Sequence, residues 1–162
     1  MSYLIDEKYL SDFTSVSQNK NAKDIRVAFQ AVTLIHVKPL LGNPLFDLYH
    51  VHVESASVLT DKQAALFDMI KYYMALKVER EMLFNLVTIS NKGATEEDKA
   101  ASLELVTMKR QSIENRASAI KKNILEYLKI HKSDFPEYYP KPTTLSNFSG
   151  ISFDNSLPRY IQ

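Results

Sequence analysis

The sequence predicts an all-α protein: a small helical bundle with a long antiparallel helical hairpin and an extended C-terminal arm rich in proline and aromatics. Three observations predict it. Apolar residues recur at spacings of three and four over about Asp61–Ser90 and again from Thr95 to about His131. Pro39, Gly42 and Pro44 fall within six residues, flanked by leucines, which is the chemistry of a corner between two helices. Pro136, Pro140, Pro142 and Pro158 then exclude helix over much of the last thirty residues. The division is a helical domain over 1–132 and a docking arm over 133–162.

The elements follow in order. Residues 1–22 are a short helical or irregular lead-in; Asp12 to Asn21 is rich in side chains that compete for backbone hydrogen bonds. A helix starts near Ala22–Asp24, and Ile25, Ala28, Phe29, Val32, Ile35 and Leu40 paint one of its faces. Pro39 lacks an N–H and disfavours helix at Lys38, so it is expected to kink or end that helix. Gly42 is suited to a positive φ just past a helix end, Asn43 to capping the next helix, and Pro44 to its first turn. A short helix then runs to about Val53. Thr60 with Gln63 matches a capping box at the head of the long helix. There Phe67, Ile70, Met74, Val78, Met82, Leu86 and Ile89 form one stripe. Leu66, Tyr73, Leu76, Leu83 and Val87 widen it, which implies contacts on more than one side. "SNKGAT" (Ser90–Thr95) is a connector with Gly93 as the stop, and "TEED" from Thr95 starts the last helix. Its seam, through Leu103, Val106, Arg110, Ile113, Ala117, Ile120, Ile124 and Tyr127, resembles that of a coiled coil.

Composition restricts function. The chain has 162 residues, a net charge of +1 and no cysteine. It can bury a real core, has no overall pull toward nucleic acid, and has no disulfide or thiol chemistry. The start "MSYLIDEKYL" is interrupted by Asp6, Glu7 and Lys8 and reads as no signal peptide. The longest apolar runs fall well short of the about 20 residues a membrane helix needs. His50, His52 and Glu54 would converge on a metal from a strand but diverge on a helix, so no metal or other cofactor is expected. Glu79 and Glu81 lie on different helical faces, and Glu96, Glu97 and Asp98 belong to a cap. No phosphate loop and no hydrolase motif is present, so the chain reads as non-enzymatic. Lys109, Arg110, Arg116, Lys121, Lys122, Lys129 and Lys132 make the last helix basic. A solvated face explains them better than a phosphate-reading one, because bases at a helix end suit the macrodipole.

The arm holds six of the seventeen Phe and Tyr residues: Phe135, Tyr138, Tyr139, Phe148, Phe153 and Tyr160. Disordered tails are poor in aromatics, so these six are candidate interface anchors, on the chain's own body, a neighbouring copy or a partner. Pro39, Gly42 and Pro44 are the structural corner.

The stretch "DIRVAFQAVTLIHVKPLLGNPLFDLY" resembles the opening helix pair of the head–tail connector (adaptor) proteins of tailed bacteriophages. Their pattern ends an amphipathic helix in a "P-x-LG-x-x-L-[YF]" corner, matched here by Pro39, Leu41, Gly42, Leu45 and Phe46. The lead "YLIDEKYLSDFTSV" and the order of elements are most similar to connector-like proteins of phages of gut Bacteroidales, the crAss-like group among them. The resemblance implies a virion protein of the neck, made in the host cytoplasm. It would form a homo-oligomeric ring of about twelve copies that docks below the portal, extends the DNA channel with only non-specific DNA contact, and offers a platform to tail or further neck proteins. An arm of about 30 residues departs from the better-known siphophage connectors. The alternative classes are a monomeric or dimeric helical protein-binding module and a DNA-binding packaging factor.

Overall fold

The structure, a computed structural model, describes residues 3–16, 22–89 and 103–138. All regular structure among them is helical. Helix α1 spans Glu7–Phe13, α2 Ala22–Val32, and a π turn, Thr33–Val37, carries α2 into the short α3, Lys38–Leu41. Helix α4 spans Asn43–Ser55, α5 Asp61–Ile89 and α6 Leu103–Ile130, followed by a 3-10 turn at Lys132–Asp134. The connector Ser90–Thr95 and the start signal at Thr95 lie outside the described residues. No described helix is long and apolar enough to cross a membrane.

Local chemistry explains most helix ends. Asp6 caps α1 by accepting the Tyr9 N–H at 2.7 Å, and Thr14 closes it by donating to the Leu10 carbonyl. At the head of α5 the capping box forms in both directions: Gln63 N–H donates to Thr60 Oγ1 at 3.3 Å and Thr60 N–H to Gln63 Oε1 at 3.0 Å. Helix α4 ends at Ala56, which takes a left-handed φ of 52°. The expected Asn43 cap is absent. Gly42 occupies the cap position with no side-chain bond, and Asn43 already lies in the helix.

Helix α5 is the axis of the bundle. Every residue from Tyr73 to Glu79 is buried, all the way round the helix. Helices α1 and α2 and the π turn pack on it from one side and α6 from the other. From Leu66 to Leu83 the wide apolar stripe packs inside the chain; the side chains of Leu86, Val87 and Ile89 lie outside the described residues. Helix α6 lies along α5 with the opposite chain direction: Tyr72 meets Arg116, Lys77 meets Glu114 and Glu79 meets Lys109. Its buried seam is Ile113, Ala117, Ile124 and Leu128. Aromatic contacts add to the packing: Tyr3 lies on Phe29 at 5.1 Å, and Tyr49 stacks on Phe67 at 5.0 Å.

Candidate functional site

The corner is built from the backbone outward. Pro39 has no N–H to give the carbonyl four residues back, and its ring would crowd that carbonyl. The chain answers with the π turn: Lys38 N–H reaches back five residues to the Thr33 carbonyl, and helix resumes through Leu41. Pro39 thus rewinds the helix rather than ending it. The turn comes at Gly42, with φ 76° and ψ 162°, a region essentially closed to other residues. Gly42 N–H donates to the Lys38 carbonyl at 2.9 Å, and its own carbonyl accepts from Phe46 N–H at 3.1 Å. One residue therefore closes one helix and opens the next. Pro44 follows in the first turn of α4, where its missing N–H costs nothing.

A Cβ at Gly42 would meet nothing nearer than Pro44 Cδ at 4.0 Å. The need for glycine is conformational and not spatial. Gly42→Val is expected to cost about 1–3 kcal/mol, read as a lower Tm in thermal unfolding; an unchanged Tm would mean that the corner tolerates another backbone path.

The elbow leaves Leu34 and Ile35 more than half exposed, with Pro39 and Pro44 also at the surface. Leu40, Leu41, Leu45 and Phe46 are buried beneath it, and Lys38 lies 5.4 Å from the Phe46 ring. Two shallow depressions flank the corner and share Leu34 and Lys38 in their walls. One of them includes Thr33, whose Oγ1 is buried with no hydrogen-bond partner among the described residues.

A charge cluster lies under the π turn. Lys77, buried to 6 % exposure, donates to both Glu114 oxygens at 2.7 and 2.8 Å. Arg80 Nε reaches the same carboxylate at 3.0 Å, and Arg80 also pairs with Glu81 at 3.4 Å. Burial alone would push the Glu114 carboxyl up. The Lys77 hydrogen bond and the charges of Lys77, Arg80 and His36 overcome that and hold it below its ordinary value. His36, on the π turn, faces this cluster. Burial first, then Lys77, lowers its pKa, with Arg80 adding to the effect and Glu81 and Glu114 opposing it. A base whose folded pKa is depressed gives stability that is full above its unfolded value of 6.5 and lost as pH falls below it. Stability is therefore expected to decline on acidification from pH about 7. In urea titrations His36→Gln should flatten that decline; an identical slope in the variant would assign it to other groups.

A second polar knot ties α1 to the long helices. Glu79, 4 % exposed, accepts from Ser15 N–H at 3.2 Å and from Ser15 Oγ at 2.5 Å, with Lys109 3.9 Å away. The Glu79/Glu81 pair is thus divided between two structural networks.

The arm begins inside the bundle. After α6 the 3-10 turn folds the chain back, and Phe135 enters the core at 1 % exposure, edge-on to Tyr127. Asp134 pairs with Lys62 at 2.7 Å. Tyr138 is half-buried against the core, its N–H bonded to the Phe135 carbonyl. The body therefore continues past Lys132 to Tyr138, and Phe135 anchors the chain to itself. Tyr139, Phe148, Phe153 and Tyr160 lie outside the described residues. Helix α4 links the two regions, because it starts at the corner and its buried Tyr49 donates to the Gln63 carbonyl beside the arm root. Burial, then Tyr127 and Glu137, pushes the Tyr49 phenol well above its ordinary value.

His50, His52 and Glu54 sit on α4. His50 pairs with Glu54 at 3.6 Å, while His52 Nδ1 approaches the Ser57 carbonyl at 2.5 Å. Among the described residues no group of three or more His, Cys, Asp or Glu side chains is placed to hold a metal ion.

Of the basic residues of α6 and the turn after it, Lys109 and Arg116 are engaged with Ser15 and Tyr72, while Lys121, Lys122, Lys129 and Lys132 are exposed. Sequence reasoning missed the Lys77–Glu114–Arg80 and Ser15–Glu79–Lys109 sets. The only local signal was a pair of charges, Lys77 and Glu79, inside an otherwise apolar run.

One family model matches the chain, over residues 37–147: a family of unknown function, DUF6712. That span takes in the corner from Val37, both long helices and the root of the arm. No curated protein and no solved structure matches the chain.

Proposed function

We propose, from the premise that the chain belongs to the DUF6712 family, that it is a non-enzymatic ring subunit of a tailed-phage neck. In this reading it docks below the portal, helps to enclose the DNA channel and presents a platform to tail proteins. Helices α5 and α6 form a hairpin that serves as the wall, and the chain beyond Tyr138 is the docking arm. The subunit resides in the virion.

The observation that carries the reading is the corner. The motif Pro39-x-Leu41-Gly42-x-x-Leu45-Phe46 forms a rigid elbow fixed by one glycine conformation, with its leucines buried and Leu34, Ile35 and Pro39 left outside. Further uncovered apolar side chains stand on several outer faces: Val27 on α2, Val51 on α4, and Leu105, Met108 and Ile130 on α6, each more than half exposed. Apolar side chains left uncovered on three helices suit a subunit that buries surface against neighbours.

The test is the mass of the full chain by light scattering with negative-stain images, alone and with the portal protein of the same phage. A closed ring of about twelve copies, alone or on the portal, is the expected result. A chain that stays monomeric or dimeric in both samples would overturn it and favour a binding module.

A further inference from the structure

Two outer faces of this chain match one another in charge, spacing and register. On α4, Asp47, Val51 and Glu54 are spaced by four and three and fall in one line, opposite the buried Leu45 and Tyr49. Val51 is 51 % exposed and both acids are at the surface; Glu54, which lies 3.6 Å from His50, keeps half of its side chain in solvent. On α6, Lys122, Leu125 and Lys129 are spaced by three and four on the side away from the buried Ile124 and Leu128. Leu125 is 40 % exposed, and both lysines are exposed.

Each stripe holds two like charges about 10.5 Å apart along its axis, with one apolar side chain between them and, one residue from that side chain, His50 on α4 and Glu126 on α6. The internal order is reversed. Laid antiparallel with Asp47 against Lys129, the stripes bring Val51 against Leu125 and Glu54 against Lys122. Laid parallel, the charges still pair, but Val51 meets Glu126 and the apolar contact is lost. Both stripes are exposed on the same body, so they do not cover one another within a chain.

We propose that the α4 stripe of one copy docks antiparallel on the α6 stripe of the next, making the lateral contact of the ring; the inference rests on the ring reading above. The valine–leucine contact supplies burial and, because it lies off-centre in each stripe, sets direction; the opposed charges set register. Two different patches meet, so the contact is heterologous and propagates until rotation closes it. Lys122 and Lys129 are thereby assigned to a second copy of this chain and not to DNA.

The chain has no cysteine, which makes the test clean. Val51→Cys and Leu125→Cys variants are mixed and oxidised mildly, beside each variant alone and beside Val51→Cys mixed with Met108→Cys. The expected result is a cross-linked dimer in the Val51/Leu125 mixture, at least several-fold above all three controls. Lys122→Glu/Lys129→Glu in the Leu125→Cys partner should abolish it, and Asp47→Lys/Glu54→Lys in the Val51→Cys partner should restore it. Equal self-cross-linking of either variant, or no excess over the Met108 control, would overturn the proposal. So would unchanged cross-linking by the Lys122→Glu/Lys129→Glu variant together with lost retention of a DNA duplex, which would give the face to DNA. A ring seen by light scattering without this cross-link would refute the contact and leave the ring reading standing. The cross-link without any ring would do the reverse.

Discussion

Phe135→Ala should destabilise the helical body by about 3–5 kcal/mol, the cost of emptying a buried aromatic site. For a chain of this length that lowers Tm by roughly 6–20 °C. The expectation follows from where Phe135 ends up and not from its sequence neighbourhood. It sits in a proline-bearing stretch after the last helix, yet it is 1 % exposed and packs edge-on to Tyr127. Its backbone N–H is bonded to the Lys132 carbonyl, so the turn that inserts it is itself ordered. The Lys62–Asp134 pair beside it is largely at the surface and adds only about 0–1 kcal/mol, so packing dominates the effect. Tyr138→Ala, at a half-buried position, should cost clearly less. Thermal unfolding of both variants decides the matter. A Phe135→Ala protein that melts with the parent would show that the core closes without this residue.

Glu114→Ala is expected to cost about 3 kcal/mol, and Lys77→Met much less. The asymmetry comes from burial. Lys77 has an 8 % exposed side chain, whereas that of Glu114 is 33 % exposed and is also held by Arg80. Removing the acid strands an ammonium in the bundle; removing the base leaves a carboxylate that keeps Arg80 and some water. The double variant Lys77→Met/Glu114→Gln should recover most of the loss, because no uncompensated charge remains. Urea unfolding of the three proteins measures this. Equal losses for the two single variants would show that Lys77 finds another partner or reaches solvent. The pair also has a pH signature. Glu114 is held below its ordinary range, so its contribution is present above the unfolded carboxyl pKa and disappears as pH falls through the folded one. That acid limb is separate from the His36 limb, which starts near neutrality.

The sequence by itself determined the features that depend on neighbours within one helical turn. The Thr60–Gln63 box, the positive φ of Gly42 and the apolar seam of α5 from Phe67 to Met82 follow from side-chain and backbone chemistry at separations of three or four residues. The all-α class follows from the same periodicities. Tertiary structure decided the rest. The rewinding before Pro39 depends on keeping Val32, Val37, Leu40 and Leu41 on the core side, which a break at Lys38 would not do. Glu79 and Ser15 are 64 positions apart, and Lys77 and Glu114 are 37 apart. Only the packing of α1 and α6 onto α5 makes either pair, and it makes two charges affordable inside an apolar helix. Phe135 looks like a tail residue until the 3-10 turn folds it under α6. Local periodicity fixes which face of a helix is apolar; which other element covers that face is set by long-range burial, and that information exists only once the chain has closed.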